Sequence, residues 1–202
     1  MCSLDPVLVP SLDLAFALSA SSIEANENFQ KMKNILKSIV EKYGSSKIRY
    51  SVIVYGDNPS VKMRFSDIFT TDKNLMSFLD MIPRTSGLPS LQRVLVQAKR
   101  IFDESPRENA RKALVIISDK KSGSRPENVR EKAHILEEAG IKVIPVAFGN
   151  SADITELVLT TADNSSLIIT KKADEPRETA EKILKEASKK GQPLFLSRVV
   201  RY

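Results

Sequence analysis

The sequence predicts an α/β domain: a doubly wound, mostly parallel six-stranded sheet with helices on both faces. Three observations carry this prediction. Short apolar runs alternate with longer segments whose apolar residues recur at helical spacing, the pattern of a sheet covered by its own crossover helices. One run, residues 113–117 (ALVII), is apolar at every position, which suits a parallel strand buried on both faces. A single link is too short to hold a helix: Asp57-Asn58-Pro59 joins residues 48–55 (IRYSVIVY) to 61–65 (VKMRF). The second of these alternates strictly, with Lys62 and Arg64 on one side, so it reads as an antiparallel edge strand.

The elements follow in order. Residues 14–18 (LAFAL) are the first strand. Over 26–43, Phe29, Met32, Ile35, Leu36, Ile39, Val40 and Tyr43 form one apolar stripe, with Lys31, Lys33, Lys37 and Lys42 outside it and Gly44 at the C′ position. After the hairpin, Asp72 is expected to cap a helix running to Ile82 and stopped by Pro83. Residues 88–102 read as a helix with Leu91, Val94, Leu95, Ala98, Ile101 and Phe102 inward. Beyond strand 113–117, Pro126 begins a helix to Ala139, ended by Gly140, and 141–148 (IKVIPVAF) is the next strand. Asp153 caps a short helix over 154–159, and 167–169 is the last strand. Pro176 begins a final helix to Lys189, closed by Gly191. Residues 12–189 are therefore expected to form one domain. Residues 190–202, with Arg198 and Arg201 among Leu194, Phe195, Val199 and Val200, are a tail or a linker to a neighbouring module.

Composition narrows the function. At 202 residues the chain is long enough for a sizeable core, and no apolar run approaches the roughly 18–20 residues that span a bilayer, so no membrane insertion is expected. The first twenty residues lack the basic start of a signal peptide. A net charge of +6 favours acidic partners, while the 6% aromatic content gives few platforms for bases, so no nucleic-acid partner is expected. Cys2 is the only cysteine, which rules out an internal disulfide or a thiolate metal site. Asn164-Ser165-Ser166 is a glycosylation sequon.

Catalytic signals are absent. His134, the only histidine, lies mid-helix with no Gly-x-Ser-x-Gly elbow elsewhere, and reads as a surface or boundary residue. Neither glycine-rich nucleotide-binding motif occurs. The Ser19–Ser22 turn either caps the helix that follows or binds an anion at its N-terminus.

Five segments in order carry a resemblance: DLAFALSASSIEANENF, RTSGLPSLQRVLVQAKRIF, RKALVIISDKKSG, AHILEEAGIKVIPVAFGN and DITELVLTTADNSSLIIT. Together, from about Leu12 to Lys189, they resemble the von Willebrand factor type A domain. The resemblance implies strand order 3-2-1-4-5-6 and three loops meeting at a metal-ion-dependent adhesion site, where an acidic residue of the partner completes a divalent cation's ligands. Carried across, that site falls on Ser19 and Ile23, where the family has an aspartate and a serine, and on Ser21, Thr85 and Asp119, which keep the family's residue types. The family's glycine after the last aspartate is Lys120, followed by Lys121. A dication loses roughly 1–6 kcal/mol with one carboxylate at about 6 Å, for effective dielectrics of 80 to 20. No cofactor is therefore expected beyond weak Mg²⁺ or Mn²⁺ on Ser21, Thr85 and Asp119. Arg84, Lys120 and Lys121, with Ser19, Ser21, Thr85 and Asp119, instead suggest a ligand-binding top-face rim suited to an acidic partner surface.

The resulting expectation is a non-catalytic adhesion module of a secreted or matrix protein, binding a matrix ligand such as collagen without metal. The alternative is an intracellular scaffold domain in a multiprotein assembly.

Overall fold

The computed structural model describes residues 11–20, 26–171 and 175–189. Six strands form one sheet: β1 (Leu12–Ser19), β2 (Ile48–Tyr55), β3 (Ser60–Met63), β4 (Arg111–Ser118), β5 (Ile141–Phe148) and β6 (Ile168–Thr170). Their order is β3-β2-β1-β4-β5-β6, and every pair is parallel except β2–β3. Six helices surround it: α1 (Asn26–Tyr43), α2 (Asp72–Met81), α3 (Leu91–Glu104), α4 (Pro126–Glu138), α5 (Ile154–Leu157) and α6 (Pro176–Ser188). This is the predicted fold class and strand order.

Alternation along β1 divides the core in two. Leu12, Leu14, Phe16 and Leu18 face α1, α2 and α6, where Met32, Leu36, Leu79 and Ile183 are buried with them. Ala15 and Ala17 face the other way, against Leu91, Val94 and Leu95 of α3 and Val129 and Leu136 of α4. Both faces of the central strands are closed, so polar chemistry is confined to the strand ends.

Several boundaries differ from expectation. Thr71, not Asp72, caps α2: its side chain accepts from Asn74 N at 3.1 Å. Asp72 instead accepts from Ser45 N at 2.9 Å and Ser45 Oγ at 2.7 Å, fastening α2 to the end of α1. Helix α3 begins at Leu91 rather than residue 88, because Leu88 precedes Pro89 and Gly87 stands at φ +94°, neither of which continues a helix. Strand β3 pairs only to Met63, since Arg64 N turns to Asp67 Oδ2 at 2.9 Å. The ring of Phe65 then packs on Phe102 with centroids 5.0 Å apart. The helix expected over 154–159 is α5 plus a 3-10 turn at Val158–Thr160. Gly191 and the tail from Lys190 lie outside the described residues.

One charged residue interrupts the apolar first strand. Asp13 is 1% exposed and is held by three hydrogen bonds: Arg49 Nε at 2.8 Å, Arg49 Nη2 at 2.6 Å and Arg107 Nη1 at 3.2 Å. A carboxylate there fastens β1 to β2 and to the segment after α3. Removing one partner of such an arrangement leaves charge uncompensated near the core. Asp13→Ala should lower stability in urea unfolding by about 3 kcal/mol, and a loss under about 1 kcal/mol would show that the arginines relax freely into water.

Candidate functional site

From β1 the chain passes through α1 to β2 on one side, whereas α3 leads into β4 on the other, so the strand order reverses beside β1 and opens a crevice beyond the C-terminal ends of β1 and β4. Ser19 ends β1 opposite Tyr55 of β2, and Leu18 lies opposite Ile117 of β4, so Ser19 and Asp119 come from adjacent strand ends. Four segments meet there: the start of α1, the loop 82–90, the loop 119–125 and the start of α5.

Long-range contacts hold these segments. Asn28 Nδ2 donates to Asp119 Oδ2 at 3.1 Å, joining the first turn of α1 to the end of β4. Arg84 Nη1 donates to Asn26 Oδ1 at 2.8 Å. Lys33, buried in α1, donates to the carbonyls of Asp80 at 2.8 Å and Ile82 at 3.5 Å, satisfying the exit of α2 and fixing where the loop to Thr85 begins. Burial holds its ammonium below the usual lysine range, against the pull of Asp80, and the Phe29 ring lies 5.3 Å away. On the other side of that loop, a Cβ on Gly56 would lie 2.2 Å from the Ser86 carbonyl. Only glycine lets the β2 end and the threonine loop approach this closely. Gly123 N then donates to Pro89 O at 3.1 Å, tying the loop after β4 to the threonine loop.

Of the residues assigned to the rim, Ser19 and Asp119 lie beneath it, 1% and 3% exposed. Thr85 and Arg84 are half-buried, while Lys120 and Lys121 are exposed. Lys121 approaches Asp153 at 3.6 Å, so it leans toward the start of α5. Ser21 and Ile23 lie outside the described residues.

Three residues missed in the sequence complete the site. Glu156, 8% exposed, accepts from Ser122 N at 2.6 Å and from Ser122 Oγ. The run DITE, with Asp153 capping α5, predicts a Glu156 that turns back on its own helix end. Instead it reaches across to the loop after β4. Ser122 and Glu156 do form a hydroxyl–carboxylate pair, but one serine occupies both carboxylate oxygens, and Ser122 Oγ also accepts from Ser124 N at 3.1 Å. That is a loop fastening. The third is Tyr55, fully buried, whose phenol is pushed above its usual range by burial and by the charges of Asp119 and Glu156. A tyrosine ending an aromatic-rich strand carries no sign of this in sequence. Elsewhere, His134 sits on the outer side of α4, 3.3 Å from Glu138, as a surface residue.

Among the described residues, the donors here do not fit a tightly held divalent cation. Hard cations take carboxylates first. The crevice offers Asp119, whose Oδ2 already accepts an amide proton, and a serine hydroxyl at position 19. Glu156 is committed to Ser122. Ser19 Oγ, Tyr55 OH and Asp119 Oδ1 are nonetheless buried without a hydrogen-bond partner among the described residues. These atoms give the strand ends a buried polar lining.

Comparisons with known proteins agree with this geometry. Residues 13–186 match the family model for the von Willebrand factor type A domain. The chain is 25% identical to mouse (Mus musculus) integrin alpha-M over 142 residues, 69% of this chain and 12% of that one. It is 24% identical to the mouse collagen alpha-6(VI) chain over 188 residues, 91% of this chain and 8% of that one. The chain thus spans no more than about an eighth of these relatives' length. Among solved structures, proximal thread matrix protein 1 from the mussel byssus, with a zinc-occupied metal-ion-dependent adhesion motif, superposes with TM-score 0.77 at 22% identity. The match covers 89% of this chain and 46% of that one, and shows the shared fold.

The Asn28–Asp119 bond is the direct link between α1 and the end of β4. A hydrogen bond to a charged group contributes roughly 1.5–3 kcal/mol. Asn28→Ala should therefore lower unfolding stability by about 2 kcal/mol and speed amide exchange at residues 119–123, whereas unchanged exchange there would show that the loop is held by Glu156 alone.

Proposed function

Because the chain belongs to the von Willebrand factor type A domain family, we propose that it is a non-catalytic adhesion module of an extracellular protein that binds a matrix ligand such as collagen without a bridging metal. The domain comprises residues 12–189, and 190–202 lead toward a neighbouring module or form a tail. The observation that supports this reading is the chemistry at the ends of β1 and β4, where a serine, Ser19, stands in place of the carboxylate expected from the resemblance and Asp119 accepts a hydrogen bond from Asn28. Without a cation, positive charge on the top face comes from Lys120, Lys121 and Arg84, which favour an acidic surface on the partner.

Similarity to an integrin chain and to collagen VI chains supports a place at the cell surface or in the matrix. The exposure of Asn164, the acceptor of the sequon, is compatible with a glycan there. Among the described residues no helix is long and apolar enough to cross a membrane.

The test is a solid-phase binding assay on fibrillar and network collagens and on other matrix proteins, with Mg²⁺ and with chelator. Binding should stay within twofold when chelator is added and fall at least fivefold in the Lys120→Glu/Lys121→Glu variant. Abolition by chelator would contradict metal independence, and failure to bind any matrix protein would contradict the adhesion role.

A further inference from the structure

The opposite end of the sheet, where the parallel strands begin, carries a different surface. Arg49 and Lys112 both lie opposite Asp13, on the α3 side of the sheet, and Arg107 reaches the same carboxylate. Two arginines and a lysine therefore surround one buried acid. On the α6 side the pattern repeats: Lys142 and Lys189 share Glu186, while Arg111 donates to the Ser188 carbonyl. Lys47, just before β2, is exposed, and neither it nor Lys112 makes an ion pair among the described residues.

Among the described residues seven cations thus stand against Asp13, Glu186 and the exposed Glu108, a local excess of four in a chain whose net charge is +6. Nearby acids do not cancel it: Asp103 and Glu104 are matched by Lys99, Arg64 and Arg100, and Glu137 and Glu138 bound the patch on the β6 side. Each shared carboxylate leaves one of its cations uncompensated, so the excess is built into the packing.

The cations fringe the starts of neighbouring strands, Arg49 and Lys112 toward α3 and Arg111 and Lys142 toward α6. Leu12 is opposite Ile48 and Arg111, Lys112 is opposite Ile141, and Ala113 is opposite Lys142. At about 4.8 Å per strand, the row from β2 to β5 spans roughly 15 Å. We propose that this end of the domain binds a linear sulfated polysaccharide, whose closely spaced anions match the cations that fringe the strand starts on both sides of the sheet. No aromatic side chain is in the exposed class among the described residues, so the surface lacks the stacking platforms that would favour single-stranded nucleic acid. The site lies at the far end of the strands from the adhesion crevice and does not depend on it.

Heparin is the probe, measured by calorimetry and by salt elution from a heparin column. Because Lys47 and Lys112 hold no ion pair among the described residues, Lys47→Ala/Lys112→Ala should keep its melting temperature. Its affinity near 0.15 M salt should fall about tenfold, and the slope of log affinity against log salt should fall by roughly two. Lys120→Ala/Lys121→Ala, at the other end, should stay within twofold of the unaltered chain. The proposal is overturned if the Lys47/Lys112 variant binds heparin as tightly as the unaltered chain, or if fully desulfated heparin competes equally. It is also overturned if an oligonucleotide or phosphatidylserine vesicles compete better than heparin.

Discussion

An amide proton shared between Asn28 and Asp119, 91 residues apart, decides how the top of this domain is built. Asp119 closes β4 and Asn28 sits in the first turn of α1, so the bond spans the crevice at which the sheet reverses its strand order. The loops around it are fastened in turn: Arg84 to Asn26 and the exit of α2 to Lys33 of α1, the threonine loop against Gly56 after β2, and the loop after β4 to Glu156 of α5. The bond also uses an acceptor position that a cation would otherwise claim. Asp119 thus serves as a structural acceptor through Oδ2, while its Oδ1 stays without a partner among the described residues.

The electrostatic consequence follows from counting charges near the crevice. One carboxylate stands at the end of β4, a second is locked on Ser122, and two exposed lysines follow immediately in the chain. A dication brought here would meet less negative charge than in a complete family site and more positive charge outside it. Because each 1.4 kcal/mol is tenfold in affinity, one carboxylate fewer, at roughly 1–6 kcal/mol, weakens a dication's hold by about one to four decades. The same reasoning locates positive potential at both ends of the sheet, though by different routes: exposed lysines on a loop above, and cations sharing buried carboxylates below.

Much of the fold was legible because burial on both faces writes itself into consecutive apolar residues. The bounds of α1, β2 and β5 follow from periodicity, Gly44 and the run IKVIPVAF. Where local rules competed, the reading slipped. Asp72 looks like a cap, but Thr71 takes that role and frees Asp72 for Ser45. Residue 88 fits the apolar pattern of α3, but a following proline excludes it. The candidate site was legible as a set of retained ligands, Ser21, Thr85 and Asp119, two replaced ones, Ser19 and Ile23, and a basic rim. Its real supports, Asn28, Lys33, Ser122 and Glu156, are polar residues whose partners lie 34 to 91 residues away, and no periodicity reports such pairs. Asp13 was invisible for the same reason: a charge beside an apolar run suggests a strand boundary, and only the arginines from two other segments allow it inside.

The central claim is that the crevice retains the shape of a cation site and lacks its charge. Titrating Mn²⁺ by calorimetry into the unaltered chain and into the Ser19→Asp/Ile23→Ser variant tests this directly. Binding no tighter than about millimolar is expected in the unaltered chain and at least about tenfold tighter binding in the variant, since one restored carboxylate contributes roughly 1–6 kcal/mol to a dication. Micromolar Mn²⁺ binding by the unaltered chain, lost on Asp119→Ala, would contradict it.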